Sequence, residues 1–292
     1  MTSMTPPPEI PPTPQPRSGD VLYGGVQQRR ITIRDLAAAK ERGERWPMLT
    51  AYDATTARLF DEAGIPVLLV GDSAANVVYG YTSTIPVTMD ELLPLVAAVS
   101  RSTSRALVVA DMPFGSYQTS PAQALSEAAR FLKEGGAQAV KLEGGSRVLP
   151  QVEALVNAGV PVMGHLGLTP QSVNAMGGYR VQGRGGAGEL LLADAKALES
   201  AGAFAIVLEV VPPDLAERVT SALSIPTIGI GAGSGCDAQV NVWQDLVGLS
   251  PAPSPKFVRR YAEVGDVITA AVKAWSEDVV SGGYPSADQT YS

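Results

Sequence analysis

Histidine and cysteine occur once each in these 292 residues, at His165 and Cys236. One cysteine excludes an internal disulfide framework and fits a reducing compartment. One of each also argues against zinc, whose sites are built from several such ligands. No run of roughly 18 apolar residues is present, so no membrane-spanning helix is expected. Basic residues are in short supply, 22 Lys and Arg against 29 Asp and Glu, for a net charge of −7. That balance argues against binding to nucleic acid or to an acidic membrane surface, since both want basic patches. The first twenty residues, MTSMTPPPEIPPTPQPRSGD, have no apolar stretch of the kind a secretory signal carries. A cytoplasmic location is therefore expected, with residues 1–30 forming a disordered, proline-rich tail.

What is present is a long alternation of apolar runs and amphipathic stretches. Runs such as VLLV (67–70), ALVVAD (106–111), AVKLE (139–143) and AIVLE (205–209) read as strands buried on both faces. Between them lie helical stretches with start signals, among them Thr88 before MDELL and Ser120 followed by Pro121. Eight such units follow one another with no linker, which points to one α/β domain over residues 31–292, a parallel (β/α)8 barrel. The alternative is a doubly wound open sheet, but the glycine fingerprint of dinucleotide binding is missing after the first strand. The last strand is expected within NVWQDLVGL (241–249), with a C-terminal helical extension from about Lys256 to Ser281.

Several polar residues stand at the ends of these apolar runs. Asp72 closes the second strand, Asp111 the third and Glu143 the fourth, so a parallel barrel brings all three to its carboxyl end. Neighbouring strands lie about 4.8 Å apart, and crowded carboxylates repel unless a cation or protons compensate. Oxygen ligands favour a hard ion, Mg2+ first and Mn2+ second. Lys141 shares a strand face with Glu143. With Ser73 it could serve a substrate carboxylate or an enolate oxygen, or it could form an internal salt bridge. Glu209 ends the sixth strand among apolar neighbours, a setting that suits a general base and also a structural ion pair. His165 ends the fifth strand, where a lone histidine is either structural or a pocket member. The glycine-rich segment 177–189, with Arg180 and Arg184, has the composition of a closing loop.

Nine ordered segments carry a resemblance: LTAYD (49–53), LLVGDS (68–73), STIPVT (83–88), VVADMPF (108–114), VKLEGG (140–145), GHLGLTPQSV (164–173), GGYRVQGR (177–184), LEVVP (208–212) and IGIGAG (228–233). In these the chain resembles the ketopantoate hydroxymethyltransferase family. The resemblance implies a barrel of the phosphoenolpyruvate/pyruvate type and hydroxymethyl transfer from 5,10-methylenetetrahydrofolate to 3-methyl-2-oxobutanoate. It further implies Mg2+ on Asp72 and Asp111 with Glu143 in its coordination sphere. The keto acid would be held by Asp72, Ser73, Asp111 and Lys141, and Glu209 would be the base that forms a metal-stabilised enolate. His165 becomes a pocket member without an assigned step. A homo-oligomer, a decamer in bacterial relatives, is also implied. The chain departs from the family pattern at Tyr81-Thr82, at Gly185-Gly186 and at Asp288 to Tyr291, none of them a candidate ligand or base. Two other functions remain open on the residues: a metal-dependent carbon–carbon or phosphorus–carbon lyase of the phosphoenolpyruvate mutase and isocitrate lyase type, and a non-catalytic keto-acid or folate binder.

Overall fold

A computed structural model describes residues 21–23, 29–250 and 255–291. Eight parallel strands close into a barrel in sequence order: β1 Trp46–Thr50, β2 Val67–Val70, β3 Leu107–Asp111, β4 Ala139–Glu143, β5 Val162–Gly167, β6 Ala205–Glu209, β7 Thr227–Ile230 and β8 Ala238–Asn241. Closure is made by β8 against β1, with Trp46 opposite Ala238. The helices are α1 Ile33–Glu41, α2 Ala54–Glu62, α3 Ala74–Val77, α4 Met89–Arg101, α5 Pro121–Lys133 and α6 Leu149–Asn157. They continue with α7 Val173–Met176, α8 Ala187–Ser200, α9 Pro213–Ala222, α10 Trp243–Leu246 and α11 Val264–Ser281.

Local signals start the outer helices where the sequence places them. Asp53 accepts from the Thr55 and Thr56 amides at the head of α2, at 2.8 and 2.9 Å. Thr88 and Glu91 form a reciprocal capping box on α4, and Ser120 caps α5 with proline in its first turn. Such caps satisfy amides that the first helical turn leaves without partners.

Strand parity divides the core in two. Leu68, Val70, Val108, Ala110, Val140 and Leu142 face outward into the layer beneath the helices. Val67, Leu69, Leu107, Val109, Ala139, Met163, Ala205 and Val207 face inward and fill the barrel. Continuing the inward series by two residues at a time reaches Asp111, Lys141, Glu143, His165 and Glu209. The same alternation that packs the lower barrel with aliphatics therefore aims the polar residues into its open end.

Three expectations shift. The last strand starts three residues before the expected segment, at Ala238–Asn241, and overlaps it only at Asn241, while Trp243–Leu246 is a one-turn helix. Ala238 and Val240 supply the inward face, while the Val242 carbonyl accepts from the Asp245 and Leu246 amides and turns the chain into α10. The C-terminal helix begins at Val264 rather than near Lys256. The tail expected over residues 1–30 falls largely outside the described residues. Of the part inside, Leu22 is fully buried against the inner cluster and its amide donates to Glu44 Oε1 at 2.6 Å. None of the described helices is long and apolar enough to cross a membrane.

Candidate active site

The seven singled-out residues, Asp72, Ser73, Asp111, Lys141, Glu143, His165 and Glu209, all line one cavity of about 260 Å³ at the carboxyl end of the barrel. Asp72, Asp111, Lys141, Glu143 and His165 are each at most 5% exposed. Lys141 Nζ lies 2.9 Å from Asp111 Oδ1, 4.0 Å from Glu143 Oε1 and 3.2 Å from His165 Nδ1. His165 spans the gap to the sixth strand, with Nδ1 3.3 Å from Glu143 Oε1 and Nε2 3.1 Å from Glu209 Oε2. Ser73 Oγ is 2.8 Å from the Tyr52 hydroxyl.

Burial and mutual repulsion govern the charge states. Burial, then Asp111 and Glu143, push the Asp72 carboxyl well above the usual range. Asp111 is also raised, by burial first, although Lys141 opposes the shift. Burial would raise Glu143 too, but His165, Lys141 and the Gln171 amide outweigh it and lower it. Lys141 moves up despite burial because Asp111, Glu143 and Asp72 surround it. For His165, burial and Lys141 pull downward; Glu143 and Glu209 prevail and bring it up to about 9. Four carboxylates against two cations leave the centre short of positive charge.

Two carboxylate oxygens aim into this centre without an aligned hydrogen bond. Asp111 Oδ1 and Glu143 Oε1 are fully buried and meet only cationic nitrogens at ion-pair distance. Among the described residues no group of three His, Cys, Asp or Glu side chains stands gathered around a single ion position. The donor set is all oxygen and anionic, which fits a hard divalent ion whose shell is completed by water or substrate oxygens.

A positioning network unremarked in the sequence supports these carboxylates. Gln171 Nε2 donates to Asp72 Oδ2 at 3.0 Å and to the Met112 carbonyl at 2.9 Å. Its amide N–H donates to Glu143 Oε2 at 3.0 Å, and its Oε1 accepts from the Tyr117 hydroxyl at 2.7 Å. The Asp72 amide donates to Asp111 Oδ2 at 3.0 Å. Gln171 thus ties two of the three candidate ligands from a loop beyond β5. It sits in the quoted GHLGLTPQSV segment, but a glutamine carries no pattern that announces such a role.

Glu209 is set by an unusual backbone. The next residue, Val210, has φ 48°, a left-handed conformation that costs a β-branched residue about 1–3 kcal/mol. Backbone hydrogen bonds hold it: the Val210 amide donates to Ile230 O at 2.9 Å, and the Gln182 amide to Val210 O at 3.0 Å. Gly167, at φ 94°, lets the chain pass beside the Glu209 carbonyl, which a Cβ there would meet at 2.2 Å. From the glycine-rich segment 177–189 it is Tyr179 that lines the cavity; Arg180 and Arg184 do not.

A family model described as ketopantoate hydroxymethyltransferase matches residues 30–287. The chain belongs to the ketopantoate hydroxymethyltransferase family. A relative from Frankia casuarinae named 3-methyl-2-oxobutanoate hydroxymethyltransferase is 68% identical over 262 residues, 90% of this chain and 88% of its own. One of the same name from Thermobifida fusca is 65% identical over 281 residues, covering 96% and 99%. The chain is accordingly an enzyme of the hydroxymethyltransferase class. Among solved structures, phosphonopyruvate hydrolase in complex with oxalate and Mg2+ superposes with TM-score 0.57 at 14% identity, covering 88% of this chain and 92% of that one. A 2,3-dimethylmalate lyase of the phosphoenolpyruvate mutase and isocitrate lyase superfamily gives 0.56 at 18%, covering 88% and 91%. At those identities the likeness is one of fold: the family shares the barrel type expected from the resemblance.

Proposed function

We propose that the chain transfers a hydroxymethyl group from 5,10-methylenetetrahydrofolate to 3-methyl-2-oxobutanoate, giving 2-dehydropantoate on the route to pantothenate. The observation that carries this reading is the pair of buried, unaligned carboxylate oxygens of Asp111 and Glu143 beside Lys141, with Glu209 held 3.1 Å from His165 on the same cavity. Asp72 and Asp111, with Glu143, would hold Mg2+, Mn2+ being the second choice. The ion would supply Lewis-acid polarisation of the keto oxygen, which acidifies the neighbouring C–H.

The protein's own groups do the rest. Lys141 and Ser73 donate hydrogen bonds to the keto acid's oxygens, fixing its orientation. Glu209, the one cluster carboxylate on the sixth strand, takes the proton from the tertiary carbon. His165 Nε2 stands at ion-pair distance from the Glu209 carboxylate, and the left-handed Val210 backbone fixes where that carboxylate emerges. One carbon–nitrogen bond of the donor opens to an iminium ion, and the freed electron pair on carbon attacks its methylene. Water then displaces tetrahydrofolate at the remaining carbon–nitrogen bond, supplying the hydroxyl oxygen.

The same proposal includes a homo-oligomer, the decamer that the resemblance implies. No residue of α11 is buried, and Ile268, Val272, Trp275 and Val279 form an apolar face at helical spacing, each about half exposed. The decisive assay is 2-dehydropantoate formation from the two substrates with and without Mg2+. Metal-dependent product supports the reading. Turnover of phosphonate or malate-like substrates without folate would replace it with the lyase reading.

A further inference from the structure

The cavity has two unlike walls. On β2, β3 and β4 it presents Lys141, a donor to the oxygens of a small keto acid, and Asp72, Asp111 and Glu143, which would hold the ion that receives the keto acid's other oxygens. In an eight-stranded barrel closed in sequence order, β7 and β8 stand across from β3 and β4. That far wall is made of Ile230, Val240, Val242 and Phe257, with two polar residues, Asn241 and Asp245. Phe257 lies over Gly231, where a Cβ would come within 2.9 Å of the ring, so this glycine keeps the aromatic against the end of β7.

Asp245 is the feature the keto-acid chemistry leaves unused. It sits on the one-turn helix α10, partly exposed at the cavity wall, and its carboxylate makes no hydrogen bond or ion pair with any described residue. The backbone beneath it is pinned: its amide donates to Val242 O at 3.1 Å, and the Trp243 amide to Thr50 Oγ1 at 3.0 Å. A carboxylate carried on a pinned backbone and left without a partner, beside apolar walls, suits a flat heterocycle with two adjacent N–H donors on one edge. The 2-amino-4-oxopyrimidine edge of a reduced pterin has that pattern: the 2-amino group and N3–H as donors, and O4 as acceptor. An anionic keto acid, in contrast, would be repelled there.

We infer that Asp245 anchors the pterin of the one-carbon donor, accepting from its 2-amino group and N3–H. This rests on the proposed reading that methylenetetrahydrofolate is the donor. The arrangement brings the donor from the β7–β8 wall toward a keto acid on the β2–β4 wall, with Glu209 on the rim between them. The cavity, about 260 Å³, falls short of the ~300 Å³ or more that houses a drug-sized ligand. It takes the keto acid and the pterin's reacting end, and the remainder of the folate lies outside.

The test is calorimetric binding of tetrahydrofolate in Mg2+ and saturating 3-methyl-2-oxobutanoate, a mixture that cannot turn over because the one-carbon unit is missing. Asp245→Asn keeps the shape but turns one acceptor into a donor facing N3–H. Its tetrahydrofolate affinity is expected to fall about 30-fold or more, equivalent to about 2 kcal/mol. Keto-acid affinity of the same variant, set on the opposite wall, should stay within about twofold. Unchanged tetrahydrofolate affinity, or loss of both ligands together, overturns the anchor. A second probe needs no variant: 2-desamino-2-methyltetrahydrofolate should bind the wild-type protein about 30-fold more weakly than tetrahydrofolate, and equal binding overturns the proposal. Failure of the wild-type protein to bind tetrahydrofolate at all would reject the donor reading, and the anchor with it.

Discussion

Replacing Lys141 with methionine keeps the length of the side chain and removes the ammonium that lies 2.9 Å from Asp111 and 4.0 Å from Glu143. Both partners are at most 1% exposed, so the charge left behind is poorly solvated. Removing one partner of a buried ion pair costs about 3–5 kcal/mol, mostly from the uncompensated charge left behind. The cost should depend on pH with a definite sign. Asp111 is raised by burial, and Lys141 is what restrains the rise. In the variant that restraint is gone, so the folded state holds a proton that the unfolded state has released. A group raised in the folded state gives stability that is complete below the unfolded value, about 3.9 for aspartate, and is lost as pH climbs through the folded value. The variant's deficit should therefore be larger near pH 8 than at pH 5. Urea unfolding at both pH values, in metal-free buffer and at one protein concentration, measures it. A deficit independent of pH, or none at all, would refute the view that the cluster is held together by charge compensation.

Other substitutions probe separate parts of the account. Gln171→Leu removes donors to Asp72 and Met112 O and should cost about 2–4 kcal/mol in urea unfolding. It should also weaken Mg2+-dependent keto-acid binding at least about 10-fold by calorimetry, as loss of groups that orient metal ligands does. Glu199 is lowered because the Ser224 hydroxyl and the Ser224 and Ile225 amides outweigh its burial. Its contribution should be complete above the ordinary glutamate value of about 4.3 and fade as pH falls through the lower folded value. Glu199→Gln should accordingly narrow the stability difference between pH 6 and pH 3. Charging the exposed face of α11 with Val272→Asp and Trp275→Asp should give a smaller species in sedimentation velocity; an unchanged assembly would assign the contacts elsewhere.

Much of this site was legible because strand parity is a strong rule. Asp111, Lys141, Glu143 and Glu209 each continue an apolar run whose inward phase is set by the residues two and four positions earlier, so their direction follows once the strands are recognised. Start signals such as Thr88 and Ser120 fixed helix heads for the same local reason. Parity failed at the eighth strand, where Gln239 interrupts the apolar pattern and the more hydrophobic VWQDL segment drew the strand three residues too late. It could not reach Gln171 or Tyr117, whose roles depend on a loop folding back under β2 and β4, nor the φ of Val210, which is imposed by neighbouring strand ends. Asp245 was hidden by the misplaced strand: read within an extended segment, it had no reason to stand at the cavity wall.

The central claim is that Glu209 removes the tertiary proton of the keto acid in a metal-dependent step. Proton–deuterium exchange at that carbon, followed by NMR in deuterium oxide with Mg2+ and without folate, isolates the step. The account predicts rapid exchange in the wild-type enzyme, none without the divalent ion, and loss of at least about 100-fold in Glu209→Gln, the lower range for a general base. Wild-type exchange in that variant would contradict it.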